Sequence, residues 1–81
     1  MGNYDFTLEL EVLREFSANI VTKFSNFMDK YHINENDKNN EYAKKYWELV
    51  DLREEMYYAK SIDELNQIER IFLEAEKMLD R

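Results

Sequence analysis

Histidine is the side chain best placed to move protons near neutral pH, and the chain has one, His32. Asp29 stands three positions before it. An Asp-x-x-His pair echoes the carboxylate–histidine spacing on the helices of dimetal bundles. Those sites need two such motifs and further inward carboxylates. A single pair at a helix end reads instead as a solvated histidine, where positive charge is mildly favoured. The chain has no Cys, which removes thiolate nucleophiles, disulfides and thiolate metal clusters. No Ser–His–Asp set, glycine-rich phosphate loop or Walker-type lysine occurs, and the one Gly is at position 2. A small helical enzyme of the chorismate-mutase kind gathers several cations around a dicarboxylate. Here the interior arginines are Arg14, Arg53 and Arg70, each among acids. The residues therefore argue for a non-enzyme that needs no cofactor and no metal, and for chemistry at a surface.

That surface is acidic. The 81 residues carry 18 Asp+Glu against 11 Lys+Arg, a formal charge of −7. Nucleic acid is excluded as the main partner, because phosphate binding needs clustered Lys and Arg. No apolar run approaches the roughly 18 residues of a membrane span. Met1-Gly2-Asn3-Tyr4-Asp5 lacks the basic region of a secretory signal, so a cytoplasmic protein is expected. Aromatic content of 15% is too rich for a disordered acidic tail. Most carboxylates read as solvated helix faces, with local pairs such as Glu41/Lys45 and Glu74/Lys77. The first 20 residues are more lopsided, with Asp5, Glu9, Glu11 and Glu15 against Arg14 alone.

The elements that carry these residues follow from punctuation and period. With no Pro and a single Gly, a turn-rich β-sandwich or barrel is ruled out. Residues 32–40 are polar and include four Asn, which suit turns and caps. Ser61 with Glu64 forms a capping box at a helix start. Three helices are predicted, over about 6–31, 41–59 and 62–80, in a single domain spanning 1–81. The apolar face of the first is Phe6, Leu10, Leu13, Ile20, Phe24, Phe27, Met28 and Tyr31. The second has Tyr42, Tyr46, Leu49, Val50, Met56 and Tyr57. The third has Leu65, Ile68, Phe72, Ala75 and Leu79 in strict 3-4-3-4 alternation, flanked by Ile62, Ile71 and Met78. This spacing suits shallow-angle packing, and short connections make neighbours antiparallel. The expected fold is all-α, an antiparallel three-helix bundle with a long first helix. Tyr4, Phe6, Leu8, Leu10 and Val12 also alternate as a strand would, but a strand there has no partner elsewhere in the chain. At about 1.5 Å per residue the first helix is roughly 39 Å long and the others roughly 28 Å, so its N-terminal end can outrun the bundle.

The first helix carries a second apolar line. At about 100° per residue, Leu8 and Val12 lie well over a quarter turn from the core face, in register with Asp5, Glu15 and Asn19. Phe16 falls between the two lines. An acidic segment with its own apolar ridge suits a basic, partly apolar groove. The ridge could equally pack on the second or third helix, or on a second copy of the chain. Trp47 and Tyr58 lie off the core face of the second helix; they are either interface aromatics or the consequence of a helix touching two neighbours.

Three pieces, in this order and at this spacing, resemble a known family. They are Thr7-Leu-Glu-Leu-Glu-Val-Leu-Arg-Glu-Phe-Ser-Ala-Asn-Ile-Val21, Ile33-Asn-Glu-Asn-Asp37 and Ser61-Ile-Asp-Glu-Leu65. They look like the epsilon antitoxin of plasmid-borne epsilon–zeta toxin–antitoxin systems. The likeness runs from about 7 to 37 and resumes at about 61; the second helix matches in pattern, and residues 1–6 match weakly. It implies an antitoxin that holds a zeta-type toxin inactive. Such toxins are P-loop kinases that phosphorylate UDP-N-acetylglucosamine with ATP. It further implies that the N-terminal helix covers the toxin's nucleotide site, that two antitoxins and two toxins form a heterotetramer, and that the pair maintains a plasmid by post-segregational killing. On this likeness the partner-binding residues are expected to be Tyr4, Asp5, Leu8, Glu9, Val12, Glu15, Phe16, Asn19 and Lys23. The alternative is another small acidic helical inhibitor, bacteriocin-immunity-like or phage-encoded.

Overall fold

The computed structural model describes residues 2–80, with side chains described from Phe6 to Asp80. Helix α1 spans Gly2–Lys30, α2 spans Glu41–Glu55 and α3 spans Ile62–Met78. Among the described residues there is no strand. The alternating segment at the front of α1 is helical, as the lack of a partner strand requires.

Each boundary has a local cause. At the end of α1, His32 adopts φ 56, the left-handed conformation most often supplied by Gly. The amide of Ile33 then reaches back to the Met28 carbonyl at 2.8 Å, and that of His32 to the Asp29 carbonyl at 3.3 Å. This is a Schellman closure, and Ile33 folds back against the core beside Met28. The loop is a chain of Asx turns. Asn34 Oδ1 accepts from the Asn36 amide and Asp37 Oδ1 from the Asn39 amide, at 2.9 and 3.0 Å. Asn40 caps α2, accepting from the amides of Tyr42 and Ala43. At the start of α3, Ser61 accepts from the Glu64 amide at 3.2 Å. The Glu64 carboxylate reaches one residue further back than a capping box predicts, to the amide of Lys60 at 2.7 Å.

Three cross-helix contacts establish the topology. Phe27 of α1 stacks on Tyr42 at the start of α2, while Arg14 lies over the Tyr57 ring beyond its end, so α1 and α2 are antiparallel. The Tyr42 hydroxyl donates to the Met78 carbonyl at 3.4 Å, so α2 and α3 are antiparallel too. The chain is an antiparallel three-helix bundle, with α1 running nearly its full 47 Å length, about 43 Å for 29 residues.

The core has two parts. The rear part contains Ile20, Phe24, Met28, Tyr42, Ala43, Leu49, Phe72 and Ala75. The front part is smaller: Leu13, Met56 and Leu65, with Phe6, Leu10 and Ala59 packed against them. Because Phe6 and Leu10 are part of this packing, α1 is held to the bundle from Phe6 onward and forms no free arm there. Whatever precedes Phe6 lies outside the described side chains.

Two expected core residues are exposed, Tyr31 and Tyr57. Tyr31 falls just past the last residue of α1 and stacks on Phe27, with ring centres 4.6 Å apart. Tyr57 sits in a 3-10 turn, Met56–Tyr58, that replaces the end of the expected second helix. The tighter turn points Met56 into the front core and rotates Tyr57 out of it.

Candidate functional site

α1 has two faces with opposite characters. Inward, Leu13, Ser17, Ile20, Phe24 and Met28 are buried. Outward, Leu8 and Val12 are each 53% exposed, and neither belongs to the core. Among the described residues they are not part of the core packing between α1 and the other two helices. Glu9, Glu11, Glu15 and Asn19 are exposed beside them. The result is a two-residue apolar ridge, spaced by one helical turn and fenced by carboxylates. It sits on a rigid element, so little ordering entropy is lost when it docks.

The remaining expected site residues are placed differently. Phe16 is half-buried and touches both core parts, so only its edge is available outward. Lys23 is exposed but makes an ion pair with Glu76 of α3 at 2.8 Å, which ties it to the α1–α3 seam. The side chains of Tyr4 and Asp5 lie outside the described residues. The structure thus gathers Leu8, Glu9, Val12, Glu15 and Asn19 on one surface, with Phe16 at its edge and Lys23 at its far end.

The aromatic surplus of α2 has separate explanations. Trp47 Nε1 donates to the Glu35 carbonyl at 2.8 Å, and its ring stacks edge-on against Tyr46. It pins the polar loop to α2. Tyr57 lies under the Arg14 guanidinium, 5.4 Å from its carbon to the ring centre. Tyr58, 81% exposed, makes no such contact.

One polar pair escaped the sequence reading. Ser17 is fully buried; its hydroxyl donates to the Arg14 carbonyl at 3.0 Å and accepts from Arg53 Nε at 3.1 Å. The signal was present in the spacing. Leu13, Ser17, Ile20 and Phe24 follow a 4-3-4 progression, and Tyr42, Tyr46, Leu49, Arg53 and Met56 follow 4-3-4-3. Ser17 and Arg53 are the polar gaps in those two lines.

Among the described residues no catalytic constellation emerges. Asp29 and His32 are exposed, and among the described residues no group of three His, Cys, Asp or Glu is placed to hold a metal ion. A depression of about 800 Å³ runs along the C-terminal half of α3 beside Lys23 and is lined by mixed charges such as Arg70, Glu74 and Lys77. It offers no nucleophile–base pair. Among the described residues no helix is long and apolar enough to cross a membrane.

Compared with known families, the chain matches the model described as bacterial epsilon antitoxin over residues 2–81. The match takes in α2 and residues 2–6, where the motifs alone showed only a pattern or a weak likeness. No curated protein and no solved structure matches the chain.

Proposed function

The chain belongs to the bacterial epsilon antitoxin family, and from that premise we propose that it neutralises a zeta-type kinase toxin by covering its ATP site with α1. Membership makes the chain an antitoxin of a toxin–antitoxin system. The observation that supports the finer reading is the outward face of α1. A P-loop kinase binds phosphates with backbone amides, a lysine and a helix N-terminus, all of positive potential. Glu9, Glu11 and Glu15 present negative charge to such a site, and Leu8 and Val12 supply apolar area to its rim. Inhibition by this route is steric and electrostatic, with no bond made or broken by the antitoxin.

The rest of the reading follows from the toxin. A kinase that consumes ATP to phosphorylate UDP-N-acetylglucosamine acts in the cytoplasm, and its inhibitor must meet it there. Two antitoxins and two toxins would form a heterotetramer, and loss of the antitoxin would release the toxin after plasmid loss. A neighbouring reading frame with a Walker A motif distinguishes this from an unrelated immunity protein.

The test is co-expression with that toxin. Wild type rescues growth and copurifies, and light scattering gives the mass of a two-plus-two complex. Leu8→Asp with Val12→Asp keeps the helical circular dichroism of wild type and loses copurification. Retained neutralisation by that double variant moves the interface elsewhere; its unfolding returns the two residues to the core.

A further inference from the structure

We propose that the Ser17–Arg53 hydrogen bond is the register lock of the bundle, and that Arg53 is a positioning residue for the outward face of α1. The second clause rests on that face being the toxin-binding surface.

Three observations carry the inference. First, the two polar residues lie on the inward lines of their helices, Ser17 fully buried and Arg53 half-buried at the margin of the seam. Each helical line of inward residues has one polar interruption, and the interruptions face each other across the α1–α2 seam. In helix packing of this spacing, a single polar residue at a core position selects one pairing among several that apolar residues alone would allow.

Second, the bond between Arg53 and Ser17 depends on this register. Ser17 has no solvent exposure, so its hydroxyl depends on the Arg14 carbonyl and on Arg53 Nε. Arg53 also directs Nη2 toward the Arg14 carbonyl at 3.5 Å. Arg14 in turn lies over Tyr57. Sliding α1 by one turn brings Leu13 or Ile20 opposite Arg53. The guanidinium then loses its acceptor and Ser17 loses its donor inside the seam.

Third, the pair sits where apolar packing is least able to choose. The front core, beyond Ser17 toward the outward ridge, has three buried residues, Leu13, Met56 and Leu65. Apolar contacts are non-directional and tolerate substitution by neighbours of similar size. A change of one residue in the pairing of α1 rotates its surface by about 100°. That rotation would turn Leu8, Val12, Glu15 and Asn19 together away from the outward face of the bundle.

The consequence separates positioning from stability. Arg53 is half-buried, and without it the Ser17 hydroxyl still donates to the Arg14 carbonyl within α1, so losing the cross-helix bond is expected to cost little stability. Met matches Arg53 in length up to Cε, where Nε stands, and has no donor there. Gln places its amide nitrogen at the position of Nε and keeps the donor. Because the chain has no Cys, spin labels can be attached at Thr22→Cys and Asp51→Cys, both exposed, on α1 and α2. In wild type the label–label distance distribution is expected to be narrow. Arg53→Met is expected to stay folded with a thermal midpoint lower by no more than about 10 °C, to broaden or split that distribution, and to raise the dissociation constant for a catalytically inactive zeta-type toxin about tenfold. Arg53→Gln is expected to restore both the narrow distribution and the affinity.

An unchanged narrow distribution in Arg53→Met overturns the register lock. So does loss of its helical signal, which would make the pair a stability element. A broadened distribution with wild-type affinity overturns the positioning clause. If the Leu8→Asp, Val12→Asp chain binds the toxin like wild type, the reading of the outward face fails instead, and the label distances still decide the lock.

Discussion

The rear and front of the bundle differ in how they are held. At the rear, Phe24 and Phe72 are completely buried, Tyr42 bridges to α3, and the loop is tied down by a Schellman closure, two Asx turns and Trp47. At the front, a three-residue core meets a 3-10 turn and a short link to α3. The front is also where the apolar ridge of α1 is displayed. Apolar burial and loop hydrogen bonds concentrate at one end, and the surface proposed for recognition lies at the other. The two are joined by a helix long enough to belong to both. Regions with few buried apolar contacts open most easily. A partner that binds only the folded form would therefore stabilise the front more than the rear.

The largest effect that tests this contrast is a cavity in each half. Phe72→Ala is expected to cost about 3–5 kcal/mol, and Leu13→Ala nearer 2 kcal/mol, the low end for such truncations, because a small core at an open end relaxes more easily. Urea unfolding of both variants measures the difference; equal losses would remove the distinction between the halves. Next, Asn40→Ala is expected to cost about 1 kcal/mol, since two amides at the start of α2 lose their acceptor. Hydrogen exchange should show that loss in α2 near Tyr42 and Ala43, with the front of α1 unaffected. Smallest is Lys23→Ala. Its ion pair with Glu76 is exposed to solvent, so its removal is expected to change stability by less than about 1 kcal/mol, and by less still in high salt. A larger change would make the α1–α3 seam a third element of the comparison.

The legible parts of the fold were those written in local pattern. α3 follows from Ser61 and a strict 3-4 spacing, and Leu65, Phe72 and Ala75 are buried as that spacing requires. The split between Leu8/Val12 and the core line of α1 was legible for the same reason, since helical period alone separates the two faces. Tyr31 and Tyr57 were misplaced because the period was extended past the point where each helix stops. That stop depends on His32 turning left-handed and on Met56 being drawn inward. Neither event is visible in a hydrophobic pattern.

The sequence by itself determined three helices, their apolar faces, the polar turn between the first two, and an outward ridge among carboxylates on α1. These depend on neighbours within a few positions, where period and capping chemistry act. Only the tertiary structure decided that Trp47 holds the loop, that Lys23 pairs across to Glu76, and that buried Ser17 meets Arg53. Those contacts join residues 12 to 53 positions apart. A hydrogen-bond donor far along the chain has no partner until packing brings one within reach, and packing is a property of all three helices together.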